Sequence, residues 1–209
     1  MAKERRTLLA SADLGESEEC VMPPMANVKG PAVIQLKEFL RDRHGDEGLK
    51  KILDQLTPEE RILVTEKLLP ISKVPAPIYD KIYQGVKTLF GGGKGDYYAV
   101  IHEYVGEKSL NSFMKMLLKL GSPSFVAHNA PVVWKHFFDT GRMLKVAGTS
   151  NSVDYVIEDA EAYGEWLCHS IIGFGRMAIR MSGGKNIRVN HDECIYKGKS
   201  RCFFHVEWD

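Results

Sequence analysis

Three cysteines and one histidine near the end of the chain carry the strongest chemical signal: Cys168, His191, Cys194 and Cys202. Three thiolates and an imidazole make a tetrahedral donor set suited to zinc. When protein fills all four positions, the ion stabilises structure and has no open position for an attacking water. Cys194 and Cys202 flank the turn-like Lys197-Gly198-Lys199, so a hairpin sets them face to face, with Cβ atoms about 4.5–5.5 Å apart. Cys202 shares a strand face with Phe204, Val206 and Trp208, the side expected to be buried. Strict alternation from Ile187 and Val189 would point Cys194 outward, so a bulge or kink is expected around His191-Asp192-Glu193, turning His191 toward Cys194. Other readings stay open. Cys168 is also well suited to be a small buried hydrophobe, Cys194 and Cys202 could pair as a disulfide, and Asp192 or Glu193 could replace His191 as an oxygen ligand.

Other candidate chemistry is weaker. Gly91-Gly92-Gly93-Lys94-Gly95 looks like a phosphate loop but follows a helix and lacks the Ser or Thr after lysine, so it reads as a flexible helix–helix turn. His102, His128, His136, His169 and His205 have no serine or cysteine partner in a nucleophile motif and read as structural or surface histidines. No carboxylate pair is singled out, so no catalytic residue is assigned. Trp134, Phe138 and Trp166 are candidates for the lining of an apolar pocket between helices and sheet, although aromatic residues at helical spacing more often belong to a core.

The elements that must position these residues follow from periodicity. Residues 1–26 mix Gly, Ser, Glu and Pro without an apolar period and read as a leader, with Cys20 in it; residues 27–209 read as one domain. Val33, Leu36 and Leu40, then Leu49, Ile52, Leu53 and Leu56, mark helical faces. Thr57-Pro58-Glu59-Glu60 predicts a capping-box helix start. Helices are expected near Ile78–Phe90, Tyr97–Tyr104 and Leu110–Leu120, with one more from Ser122-Pro123 to a Gly141 cap. Alternation at Leu144 and Val146, and at Val153, Tyr155 and Ile157, predicts a hairpin turning at Gly148–Asn151. A long helix from Ala160 to Ile179 carries Cys168 on its apolar stripe, and a second hairpin runs from Ile187 to Trp208. The fold class is thus α+β: N-terminal helices packed on a twisted antiparallel sheet made of two hairpins, β-β-α-β-β at the C-terminal end.

Composition narrows the function classes. With 209 residues and 44% hydrophobic side chains, the chain can bury a sizeable core. A formal net charge of +1, with basic and acidic residues interspersed, speaks against nucleic acid as partner. No apolar run approaches the roughly 18–20 residues of a membrane span, and no signal-peptide core follows Lys3, Arg5 and Arg6, so a cytoplasmic location is expected.

At Cys168, His191, Cys194 and Cys202, with the closing Cys202-Phe203-Phe204, the chain resembles the 4-vinyl reductase domain family, which includes the sensory domains of aromatic-responsive transcriptional activators. Those sensors hold their metal with a helix cysteine, an acid-x-x-Cys segment and a last cysteine, at the same spacing; His191 stands where they have glutamate. Upstream, Leu36 to Leu53 and Phe137-Phe138-Asp139-Thr140-Gly141-Arg142 resemble a family of stand-alone myxobacterial proteins of about this length. The resemblance implies the fold of haem–nitric-oxide sensors and vesicle-tethering subunits. Haem is not expected, because no Tyr-x-Ser-x-Arg signature is present. The implied function is a non-catalytic sensory or interaction module with a structural zinc, a small hydrophobic or aromatic ligand, and a homodimer or regulatory protein as partner. The alternatives are a thiol- or metal-dependent, reductase-like enzyme and a purely structural adaptor.

Overall fold

The structure, a computed structural model, describes residues 26–92, 96–160 and 163–209. The expected leader therefore lies outside the described residues except for Ala26, as do Gly93, Lys94 and Gly95.

The first half is helical. Helix α1 (Gly30–Leu53) starts with a proline in its first turn and changes direction at Gly45, whose φ of 69° glycine adopts without the steric cost of a Cβ. Helix α2 (Pro58–Val64) begins at the expected capping box: Thr57 Oγ1 accepts from the Glu60 N–H, and the Glu60 carboxylate accepts from the Thr57 N–H. Helix α3 (Ala76–Leu89) buries Ile78, Tyr79, Ile82, Tyr83 and Val86 along one face. Helices α4 (Asp96–Ser109) and α5 (Ser112–Leu120) follow. The helix expected from Ser122 to Gly141 is instead two, α6 (Pro123–His128) and α7 (Ala130–Phe137). Pro131 has no N–H to continue the ladder, and the chain breaks at Asn129 just before it. Two three-residue strands, β1 (Asn27–Lys29) and β2 (Lys73–Pro75), pair antiparallel beside α1. They are too short to leave an alternating pattern in the sequence.

The second half is the expected hairpin–helix–hairpin. Strands β3 (Arg142–Gly148), β4 (Ser152–Glu158), β5 (Arg188–Glu193) and β6 (Cys202–Glu207) form one antiparallel sheet in the order β3-β4-β6-β5. Val153, Tyr155 and Ile157 of β4 and Cys202, Phe204 and Val206 of β6 point to the buried face. Strand β3 is an edge; Leu144 and Val146 are exposed on it, and its pairing slips between Lys145 and Ala147. Helix α8 (Trp166–Met181) connects the hairpins. It starts six residues later than expected, after positive φ values at Asp159 and Gly164.

Helices α4 and α8 cross on glycine. A Cβ on Gly173 would lie 2.2 Å from the Ala99 carbonyl oxygen and 2.8 Å from His102 Cβ, so the two backbones approach as closely as they do because that side chain is absent. The α+β architecture matches the sequence-based expectation. Among the described residues, no helix is long and apolar enough to cross a membrane.

Candidate metal centre and ligand cavity

Cys168, His191, Cys194 and Cys202 come together, with their four ligand atoms within 4.8 Å of one another. Each arrives on a different piece of backbone. The first turn of α8 supplies Cys168, β5 supplies His191, the residue after β5 is Cys194, and β6 begins at Cys202. The bulge expected before Cys194 is present: His191 pairs with Phe204 and Glu193 with Phe203, which leaves Asp192 unpaired. The turn is longer than the three residues expected, because a 3-10 turn at Ile195–Lys197 precedes Gly198. Lys197 and Lys199 both donate their N–H to the Cys194 carbonyl, which fixes the backbone that carries this thiol.

The same bulge separates the candidate fourth ligands. Asp192 is exposed, and the Glu193 carboxylate accepts from Arg201 Nε at 2.9 Å. His191 stacks on Phe204 with ring centroids 4.2 Å apart, and its buried Nε2 has no hydrogen-bond partner. The histidine therefore faces the thiols and the two acids do not.

The sulfur geometry suits a tetrahedral ion. Cys168 Sγ lies 3.6 Å from Cys202 Sγ and 3.8 Å from Cys194 Sγ, and all three cysteines are free and buried. A tetrahedron with metal–sulfur bonds of about 2.3 Å has edges of about 3.8 Å. The thiols also share protons unevenly. The hydrogen bond with Cys202, then burial, pushes Cys168 up, while the same bond, helped by His191, pulls Cys202 down.

A second feature adjoins the cluster. Trp134, Phe138 and Trp166 all line one cavity of about 250 Å³. Its walls are Val105 and Gly106 of α4, Ile171 and Phe174 of α8, and Tyr155 and Val206 of the sheet. Trp134 stacks on Phe138 at 4.1 Å and donates its indole N–H to the Gly141 carbonyl. Three other lining groups have no partner: His102 Nε2, Ser109 Oγ and Trp166 Nε1 are all buried and unpaired. Unpaired buried polar atoms in an apolar cavity are costly unless a ligand or water meets them.

His102 was not singled out by sequence, where it reads as one structural histidine among several. Its spacing to Val105, Gly106 and Ser109 places the four on one face of α4, and only the packed structure shows that this face borders a cavity. Burial, with His169 nearby, pushes His102 down from its ordinary 6.5 to about 3. The unfolded chain takes up a proton as pH falls through about 6.5, whereas folded His102 stays neutral until about pH 3. Its contribution to stability is therefore complete above pH 6.5 and is lost as pH falls, by up to about 1.4 kcal/mol per pH unit. His102→Leu is expected to shrink the stability lost between pH 7 and pH 5 by about 2 kcal/mol in urea titrations. Equal losses in both proteins would show that His102 is reached by solvent.

The chain matches no protein-family model and no curated protein. Its fold does match solved structures of H-NOX proteins. The Fe(II) unliganded protein from K. algicida superposes with a TM-score of 0.67 at 15% identity, covering 87% of this chain and 96% of that one. An Fe(II)NO form from S. oneidensis gives 0.68 at 14% identity, with 87% and 99% covered. An Fe(II)CO form of a Shewanella oneidensis H-NOX domain gives 0.62 at 13%, with 87% and 98% covered. At this identity the likeness shows the fold, which is the haem–nitric-oxide-sensor fold expected by resemblance. Membership of the 4-vinyl reductase family is not shown.

These neighbours correct the expectation of zinc in place of haem. They are iron proteins, described in Fe(II), Fe(II)NO and Fe(II)CO states. A missing Tyr-x-Ser-x-Arg signature removes one way of pairing propionates, but it says nothing of the cavity or of an imidazole free to meet a ligand inside it.

Proposed function

We propose that this chain is a non-catalytic, ligand-binding sensory module with two sites on one scaffold: an apolar cavity for a compact hydrophobic ligand, and a Cys₃His centre for a thiophilic metal ion. The observation that carries the reading is the cavity itself, lined mostly by apolar side chains and yet bordered by the unpaired His102 Nε2 and Trp166 Nε1. Sites of this kind, mostly apolar with a few polar groups aimed inward, are where proteins hold small molecules. The neighbours' names add weight, because they describe iron proteins with diatomic ligands on the same fold.

The cavity's donor set fits haem on the iron side. His102 is buried, unpaired and neutral, the state in which imidazole binds iron, and Lys29 is a cation on the lining. If haem is the occupant, His102 is the residue that would hold it, and haem would supply a metal able to bind small gases. The Cys₃His centre supports a structural role because its three thiols are buried and protein supplies all four donors, leaving no open position for a substrate.

One titration tests the reading. Trp134 and Trp166 both line the cavity, so an occupant quenches their fluorescence. Haemin and the neutral dye N-phenyl-1-naphthylamine are titrated separately into the purified protein. Saturable quenching by either, near one equivalent per chain, is expected. A haemin Soret band lost in His102→Ala would make haem the occupant, and dye binding without such a band would make it an apolar metabolite. If neither ligand quenches saturably, the cavity is not a binding site and the proposal falls.

A further inference from the structure

The two sites are built from the same three elements. In β5, Val189 borders the cavity and His191, two residues on and so on the same strand face, belongs to the Cys₃His cluster. In β6, Cys202 belongs to the cluster and Val206, again on the same face, borders the cavity. In α8, Cys168 belongs to the cluster, while Trp166 and Ser170 on either side of it border the cavity. The cluster therefore ties α8 to the sheet at one end of the wedge whose opening forms the cavity.

The start of α8 is held by packing and one ion pair rather than by a cap: Trp166 and Leu167 are buried, and the Glu165 carboxylate accepts from Lys87 Nζ at 2.9 Å. The residue that precedes the helix, Glu165, makes no side-chain capping bond and has helical φ and ψ, and Gly164 has φ of 96°. The first two backbone bonds, from the N–H of Leu167 to Gly164 and of Cys168 to Glu165, span three residues and measure 3.1 and 3.2 Å. A turn of this kind opens easily. In contrast, a metal bonded to Cys168, Cys194, Cys202 and His191 would hold it to both strands at once.

We infer that metal occupancy of the Cys₃His centre and ligand occupancy of the cavity are coupled through the first turn of α8, so that the metal sets how tightly the cavity binds. The inference rests on the reading that both sites are used. Trp166 lies against Tyr79, ring centroids 4.7 Å apart, and a metal bonded to Cys168 would hold it there and keep the cavity at its present width. When the metal is withdrawn, the first turn is released from the sheet, Trp166 gains freedom, and a ligand must order it again on binding. Positive coupling follows, and linkage makes it reciprocal: a cavity ligand tightens metal binding by the same factor by which the metal tightens ligand binding.

The test uses Co²⁺, whose thiolate and d–d absorption bands report tetrahedral sulfur ligation, and N-phenyl-1-naphthylamine as the cavity probe. Co²⁺ affinity is measured by competition against a chelator, on the full chain, with and without saturating probe. Probe affinity is measured with and without Co²⁺. A shift of about tenfold in each, equal within error, is expected; it lies inside the usual range of coupling between sites. Far-UV circular dichroism of the metal-free protein distinguishes a loosened turn from unfolding. If the metal-free chain unfolds, the effect of the probe on Co²⁺ affinity decides alone, since it starts from the metal-loaded protein. Cys168→Ser, which frees the helix side of the tie and leaves the strand ligands, should bind probe as weakly as the metal-free protein and lose the effect of Co²⁺ on it. Co²⁺ and probe that both bind, each indifferent to the other, would overturn the coupling and leave the proposed function standing. Failure of Co²⁺ or of the probe to bind would overturn the coupling, whereas the cavity reading falls only if haemin fails to bind as well.

Discussion

A Cys202→Ser protein is expected to lose metal binding and, with it, the stability that metal confers. Cys202 faces Cys168 at 3.6 Å and belongs to the strand that pairs with both β4 and β5. Serine keeps the volume and loses the soft donor that can ionise. For wild-type protein in metal at about 1,000 times its dissociation constant, mass action adds about 4 kcal/mol to stability. In a domain of this size that raises the melting temperature by about 10 °C. Cys202→Ser should melt at the same temperature with and without metal, and elemental analysis should find less than a tenth of the wild-type content. Asp192→Asn is the matched control, since the bulge turns Asp192 to solvent, and it should behave as wild type. A Cys202→Ser protein that retains both metal content and the metal-dependent rise would remove this thiol from the site. Loss of metal in Asp192→Asn would instead restore the acid as a ligand.

The second large effect is expected from one methyl group. Gly173→Ala places a Cβ 2.2 Å from the Ala99 carbonyl oxygen and 2.8 Å from His102 Cβ, closer than atoms can approach. The nearest obstacle is main chain on a packed helix, so α4 and α8 must separate. Overpacking of this kind costs about 3 kcal/mol. The cavity between them should widen as well, because Val105 and Gly106 on α4 and Phe174 on α8 line it. Gly175, two residues along, gives the opposite sign. A Cβ there meets nothing within 4 Å, so Gly175→Ala is expected to stabilise by about 0.5–1 kcal/mol through helix propensity alone. Urea unfolding of both variants checks the pair. Equal stabilities would mean that the helices are not in backbone contact at Gly173.

The contrast between those glycines shows what the sequence could and could not reveal. Both sit in one helical stretch on either side of Phe174, and only the crossing partner shows which of them cannot take a side chain. The second-half hairpins, the capping box at Thr57 and the bulge before Cys194 were legible because each depends on residues close in the chain. The four-residue cluster was legible from the helical stripe at Cys168, the alternation at Cys202 and the bulge that brings His191 and Cys194 together. The cavity was legible only in part. Trp134, Phe138 and Trp166 do border it, yet so does His102, whose importance comes from the absence of a partner. That absence is a property of packing among segments far apart in sequence. The break at Asn129 was missed because the apolar stripe runs on through α6 and α7 while Pro131 interrupts the hydrogen bonds beneath it. The restriction against haem failed because a signature for one mode of holding a group was read as a requirement of the fold.

The strand order carries a consequence for how the chain reaches this state. Each hairpin is local, but the two central strands, β4 and β6, pair Ser152 with Glu207, 55 positions apart (207 − 152). Contacts so distant in sequence are slow to form, since the entropy of closing the intervening loop is lost before any contact compensates. The sheet's middle seam is thus expected to be the late, rate-limiting event in refolding, with the helices and outer hairpins already assembled. Cys202 is the first residue of the strand that closes this seam and Cys168 lies on the helix inside the loop, so an ion held by both would shorten the search.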